Sequence, residues 1–157
     1  MPTRSPLPER LARWLENRSE LDPAAARVSA WWAKAQAPPW LRDLLSGRPI
    51  GHPLHPAAVL APAGALLSAT ALDVTGDPSM RPAARRLIGL GLASAGPAAL
   101  AGWSDWLDTE GAQKRVGLVH AATNIVGLTS YAVAWWRMRD GANGAGRPGL
   151  AGAAALG

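Results

Sequence analysis

Three histidines are the residues of this 157-residue chain best suited to coordination or proton transfer: His52 and His55, in Gly51-His52-Pro53-Leu54-His55-Pro56, and His120, four residues before Asn124. Neutral imidazoles from two helices can ligate haem iron on its two axial sides. His55 and His120 are the expected ligands of such a haem b. Trp103 would line the ring, and Asp105 or Asn124 would bond the far imidazole nitrogen and set its tautomer. Gly117 and Gly127 would leave room for a flat macrocycle. A zinc site drawn from His52, His55 and His120 with Asp105 is the lesser expectation, because its spacing is looser than that of a zinc motif. Residues before proline favour extended backbone, which sets His52 and His55 about 9 Å apart on one side, so both reach one ion only if the segment turns. The structural alternative is that His-Pro-x-His-Pro caps a helix and steers the chain, its imidazoles bonding backbone or lipid headgroups. Asp105 would then be an interfacial carboxylate bonded to a Trp or His.

The elements that must position these residues are long and uncharged. No Asp, Glu, Lys or Arg occurs from Pro49 to Leu72, from Leu87 to Ser104, or from Val116 to Trp136. Around 20 apolar residues cross a hydrocarbon core of roughly 30 Å. Only 17% of the chain is charged, against about 25% in a typical soluble domain. The pattern predicts an all-α integral membrane bundle with three transmembrane helices in residues 49–139. The first span runs from Pro56 to about Thr70 or Leu72. The second begins near Pro82, is expected to kink at Pro97, and ends at Trp103 to Trp106. The third follows Lys114 and Arg115 and ends at Trp135, Trp136 and Arg137. Tryptophan at span ends, with none in mid-span, fits an aromatic belt. The spans are rich in small residues, and close packing is expected at Ala57, Ala61, Ala65 and Ser68 in the first and at Gly89, Ala93 and Pro97 in the second. A soluble Ala-rich bundle would need a polar face on each helix, which these windows do not supply.

Three antiparallel spans bring the start of the first, the end of the second and the start of the third to one membrane face. Every histidine falls at that face, with Trp103, Asp105 and Trp106, while Asp73, Asp77, Arg81, Arg137 and Arg139 fall at the other. Gly117, His120, Asn124, Gly127 and Tyr131 follow helical spacing and form a stripe expected to face the bundle interior. Polar residues inside a membrane are candidates for function. Flanking basic residues weakly place the histidine face outside.

Residues 1–48 carry eight of the sixteen basic and five of the eleven acidic residues. Three short amphipathic pieces stand out: Pro8 to Glu16, a piece opened by Asp22-Pro23 as N-cap and first turn, and Trp40 to Leu45. They fit helices lying among the headgroups or, equally, a helical tail docked on the bundle or a partner. No signal-peptide core precedes Gly51, so the spans are expected to direct their own insertion. Residues 140–157 read as a Gly/Ala-rich tail or as the opening of a fourth span left incomplete.

Gly51-His52-Pro53-Leu54-His55-Pro56, Gly102-Trp103-Ser104-Asp105-Trp106, and Arg115-Val116-Gly117-Leu118-Val119-His120-Ala121 with Asn124 and Tyr131, together resemble the bacterial membrane family named domain of unknown function 2231. The likeness covers about Trp40 to Arg139. It implies a four-helix membrane domain, in other chains sometimes joined to Rieske-type iron–sulfur or cytochrome-like domains, and a multi-pass place in the bacterial cytoplasmic (inner) membrane. The family's fourth span, which often carries a Gly-Gly-His element, is missing from this pattern.

Two functions are compatible with these residues. One is a redox-associated module that holds haem or a metal through histidine at one membrane face, with a Rieske or cytochrome domain as partner. The other is a structural or assembly subunit without a cofactor, in which the polar cluster locks helices together. The absence of Cys excludes disulfide scaffolds, thiol catalysis and thiolate metal sites. No nucleophile motif, phosphate loop or metalloprotease pattern occurs, so enzyme activity is not the expectation. The basic residues are spread along flanks rather than gathered in a nucleic-acid-binding stripe, which leaves the lipid bilayer as the first partner.

Overall fold

The computed structural model describes residues 6–34 and 38–139. Among these, six α-helices follow one another with no strand between them: α1 (Leu7–Glu16), α2 (Asp22–Lys34), α3 (Pro39–Leu45), α4 (Leu54–Val74), α5 (Arg81–Leu107) and α6 (Gly111–Arg137). The expected tail or fourth-span opening at 140–157 lies outside the described residues. The last three helices are long and apolar enough to cross a membrane. Their 21, 27 and 27 residues give about 32, 40 and 40 Å of helix against roughly 30 Å of hydrocarbon. The described residues therefore form an all-α membrane bundle with three spans. α5 continues through Pro97, and α6 begins four residues before Arg115, so its first turn projects beyond the uncharged stretch.

Side chains close the two hairpin turns. After α4, the Thr75 hydroxyl donates to the Leu72 carbonyl (2.6 Å), Gly76 takes left-handed backbone (φ 72°), and the Asp77 carboxylate accepts from the Ser79 N–H (2.8 Å). After α5, the Lys114 ammonium reaches back to the carbonyls of Leu107 (3.3 Å) and Thr109 (3.1 Å). Carbonyls at a helix end lack partners within the helix, and a cation there satisfies them and the helix dipole together.

The most extensive helix contact is between α4 and α5. Pro62, Ala65, Leu66, Ala69 and Thr70 are buried on α4, and Ala84, Ile88, Gly91, Ala95, Ala98 and Ala101 on α5. Gly91 sets the register, because a Cβ there would lie 2.6 Å from Leu66 Cγ. The stripes expected from sequence are thus rotated. Ala57, Ala61 and Ser68 are exposed, as are Ala93 and Pro97, and of those positions only Ala65 enters the seam. Gly89 instead admits the indole of Trp135 from α6. Alanine on every side of α4, with leucine on both the buried side (Leu66) and the exposed side (Leu60, Leu67), leaves its faces nearly equivalent in size.

α6 joins through Gly127, Tyr131 and Ala134. Tyr131 is fully buried, and its hydroxyl lies 2.6 Å from Thr70 Oγ1 and 3.3 Å from the Leu66 carbonyl oxygen. Leu66, Ala69, Ile88, Tyr131 and Ala134 form the core. This core sits at the end of the bundle away from the histidines. There Arg85 and Arg139 stack over Trp135, at 4.9 and 5.8 Å from its ring centroid, as cations at an aromatic belt do.

At the histidine end the N-terminal helices are docked on the bundle. α1 and α2 lie against α6, and α3 lies against α5. Asp22 does not serve as the N-cap expected of it. It is the first residue of α2, and its carboxylate accepts two hydrogen bonds from the Arg115 guanidinium (2.7 and 2.8 Å), which also donates to the Glu16 carbonyl. Trp32 stacks on Trp103 (5.6 Å), which meets Trp106 edge-on (5.1 Å). The outer faces of these helices remain open: Leu7, Leu11, Trp14, Trp31 and Trp40 are all exposed.

Two outcomes follow from this packing. Gly91→Ala forces Leu66 or the α4 backbone aside and should destabilise the bundle by about 1–3 kcal/mol. Gly96→Ala meets no atom within 4 Å and should be neutral or stabilising by up to about 1 kcal/mol through helix propensity. Thermal unfolding in micelles reads both. The bidentate bond from Arg115 holds the Asp22 carboxyl below its ordinary pKa. Its contribution to docking is therefore complete above the ordinary carboxylate range and is lost as pH falls through the depressed value, below about pH 4. Tryptophan emission in micelles should change over that acid range in the wild-type chain. Asp22→Asn should be shifted already at neutral pH and titrate more weakly; identical titrations would remove Asp22 from the docking contact.

Candidate functional site

The segment that carries the first two histidines turns rather than extends. Gly47 (φ 73°) and Gly51 (φ 71°) take left-handed backbone on either side of a short 3-10 turn at Arg48–Ile50. A Cβ on Gly47 would collide with the main chain of His52 at 1.8 Å, so this glycine is needed for the chain to fold back. His52 is left exposed on the loop. His55 is already helical despite preceding proline, because it and Pro56 occupy the first turn of α4, where the restriction on a residue before proline is tolerated.

From there the His55 ring crosses to α5. Its Nδ1 lies 2.9 Å from the Ala98 carbonyl oxygen. A carbonyl only accepts, so Nδ1 carries the proton and Nε2 holds the lone pair. The ring rests on Gly102, where a Cβ would stand 2.6–3.1 Å from three of its atoms. Asp105, one turn along α5 from Gly102, is close enough to feel the imidazole charge. Gly91, Ala95, Ala98 and Gly102 lie on one face of α5 by helical spacing. The helix thus offers small residues and one carbonyl where an imidazole must fit.

His120 is arranged differently. It is exposed on α6, and its Nε2 accepts from the Asn124 amide, Nδ2···Nε2 2.8 Å. An amide nitrogen only donates, so this bond engages the lone pair and leaves Nδ1–H pointing elsewhere. Asn124 does set the tautomer of His120, but in the sense that occupies the nitrogen a ligand would need. The expected interior stripe is therefore divided. Gly127 and Tyr131 are buried, Gly117 makes room for Trp106, whose indole N–H donates to the Lys114 carbonyl (3.0 Å), and His120 stays outside. Gly117 thus admits the Trp106 indole, and Gly127 is buried on α6.

The site residues thus fall into separate groups. His55, Gly102 and Asp105 meet at the α4–α5 seam. Trp103 belongs to the tryptophan ladder with Trp32 and Trp106. His120 and Asn124 pair on the open side of α6, and His52 stands in the loop. Among the described residues no three of His, Asp and Glu are gathered as a metal would require. What the geometry provides is one imidazole fixed through its Nδ1–H, with Nε2 left to supply a single ligand, and one exposed amide–imidazole pair. Sequence reasoning missed the Ala98 carbonyl and the role of Gly102. The spacing of Gly91, Ala95, Ala98 and Gly102 was the available signal.

Two further contacts depend on residue pairs far apart in the chain. Thr70 and Tyr131 join the ends of α4 and α6, and Arg115 joins α6 to Asp22. Neither pairing has a local signature. A cleft of about 980 Å³ also opens at this end of the bundle, between α2, α3 and the last turns of α5.

No curated protein and no solved structure matches the chain. A family model described as "Predicted membrane protein (DUF2231)" matches residues 51–157. That match covers more than half of the sequence and contains all three histidines, the α4–α5 seam and the His120–Asn124 pair, and by it the chain belongs to the DUF2231 family of membrane proteins.

Proposed function

We propose that this chain is a structural membrane subunit that assembles through α6, its partner being α6 of a second copy. One observation carries the reading: a polar pair, His120 and Asn124, stands on the open side of a membrane-spanning helix. Buried residues make up 28% of the apolar stretch in each of α4 and α5 but only 11% of that in α6. His120 lies about 7 Å along the helix from Arg115, at about 1.5 Å per residue, within the uncharged stretch. The nearby hydroxyls need no partner, since Thr123, Thr129 and Ser130 each donate to a carbonyl of their own helix. The Asn124 carbonyl, its second N–H and the His120 Nδ1–H have no such local bond. An amide both donates and accepts, so two copies related by a two-fold axis satisfy each other at this position. The resemblance to a bacterial family supports a bacterial cytoplasmic membrane as the setting of this assembly.

A second reading keeps His55 as a cofactor or metal ligand. It is favoured by the hydrogen bond from Nδ1 to the Ala98 carbonyl, because ligating imidazoles ordinarily donate their other N–H to such a group. Haem, when bound, supplies one-electron chemistry. The residues here would contribute one ligand nitrogen, from His55, and a redox protein would be the partner. His120 would join only after Asn124 released it.

Both readings are tested on one preparation. The chain has no cysteine, so Thr123→Cys gives a single cross-linking site beside Asn124. Disulfide-linked dimers are expected in native membranes. Asn124→Leu should weaken association by about 1 kcal/mol, roughly fivefold. A chain that stays monomeric at every lipid-to-protein ratio would contradict the assembly. An absorption spectrum and metal analysis of the same protein address the second reading, which requires any signal to fall in His55→Ala.

A further inference from the structure

We propose that the cleft at the histidine end holds one anionic phospholipid drawn from the surrounding bilayer, its phosphate among Arg42, Arg48 and Lys114 and an acyl chain against Leu100. The cleft of about 980 Å³ is at the upper end of the range usual for ligand sites, about 300–1,000 Å³. Its lining extends along α5. Leu107 and Asp108 line it where α5 ends, and Leu100 lines it seven residues back, about 10 Å deeper along the helix. Leu100 is 46% exposed, so the deep end of the cleft opens towards the hydrocarbon. One end therefore lies at the level of the headgroups and the other at the level of the acyl chains. That shape and polarity suit an amphiphile rather than a small soluble solute.

Charge favours an anion. Arg42, Arg48 and Lys114 face Asp43 and Asp108 around the cleft, an excess of one positive charge that a singly anionic headgroup neutralises. The cations also have donors to spare. Arg42 is 3.5 Å from Asp108, too long for a good hydrogen bond, with both side chains more than half exposed. Lys114 has three N–H donors and uses two on carbonyls. On the α2 wall the Ser29 hydroxyl is buried yet has no hydrogen-bond partner among the described residues. A buried polar atom ordinarily finds a partner, and a phosphate or ester oxygen in the cleft supplies one. Trp32 forms the apolar wall beside it, as an indole at the headgroup boundary does. Docking of the N-terminal helices thereby builds a lipid site that α4–α6 lack by themselves.

Native mass spectrometry of the full chain tests this, released from micelles containing equal amounts of phosphatidylglycerol and phosphatidylcholine. The expected result is one retained phosphatidylglycerol per chain, preferred several-fold over phosphatidylcholine. Arg42→Gln combined with Arg48→Gln should remove most of that preference. Leu100→Trp, which fills the deep end from a partly exposed position, should lower retention of both lipids. Leu60→Trp, an equally large change on the exposed side of α4, should leave retention unchanged, and unfolding temperatures identify any variant that merely misfolds. Equal retention of the two lipids by the wild-type chain would overturn the proposal, as would a preference that survives both cleft variants. Displacement of the lipid by millimolar glycerol phosphate would assign the cleft to a soluble anion and overturn the bilayer as its source.

Discussion

The close approach of α4 to α5 is the constraint on which the other contacts depend. Within a bilayer there is no water to drive apolar helices together, so association rests on packing and on polar bonds made inside the protein. Gly91 lets Leu66 lie against α5, and Gly102 lets the His55 ring reach the Ala98 carbonyl. Once the two helices are set at that distance, Leu66 and Thr70 present the hydrogen-bond partners that Tyr131 needs to bring α6 into the bundle. The same seam fixes where α5 ends, and so where Trp103 and Trp106 stand for the N-terminal helices to dock upon.

The bundle is unequal along its length. At the end away from the histidines three helices share one core under the guanidinium groups of Arg85 and Arg139. At the histidine end α4 meets α5, α5 meets α6 through Trp106 against Gly117 and through Lys114, and α1, α2 and α3 pack alongside. The distribution of polar groups matches this. His55 is consumed in holding two helices together, whereas His120 and Asn124 bond each other and leave donors and acceptors turned away from the chain's own core. The proposed assembly at α6 and the proposed lipid site beside α5 both draw on this open end.

Much of this was legible in the amino-acid sequence, and the limits have physical causes. Uncharged windows bounded by Arg48 and Asp73, by Arg86 and Asp105, and by Arg115 and Arg137 locate the spans to within about a turn or two, because a charge in hydrocarbon is costly wherever the helix faces. The three N-terminal helices follow from their prolines and apolar spacing. The convergence of every histidine at one face follows from topology alone. Which side of α4 packs was not legible, because a helix rich in alanine all round carries no apolar stripe to choose by. The exposure of His120 was not legible either. Gly117, Gly127 and Tyr131 obey the same periodicity, and only the positions of Trp106 and Thr70 decide where that stripe is covered. The bond between Arg115 and Asp22 joins residues 93 positions apart, a distance over which local pattern carries no information.

The central claim is that three antiparallel helices cross a bilayer, with the histidine-bearing turns together on one side. The natural absence of cysteine permits a direct measurement: Ser79→Cys, between α4 and α5, and Glu110→Cys, between α5 and α6, labelled with an impermeant maleimide in sealed vesicles. One position should label from outside and the other only after the vesicles are opened. Labelling of both from the same side would contradict the topology on which the seam, the open α6 face and the lipid cleft are all built.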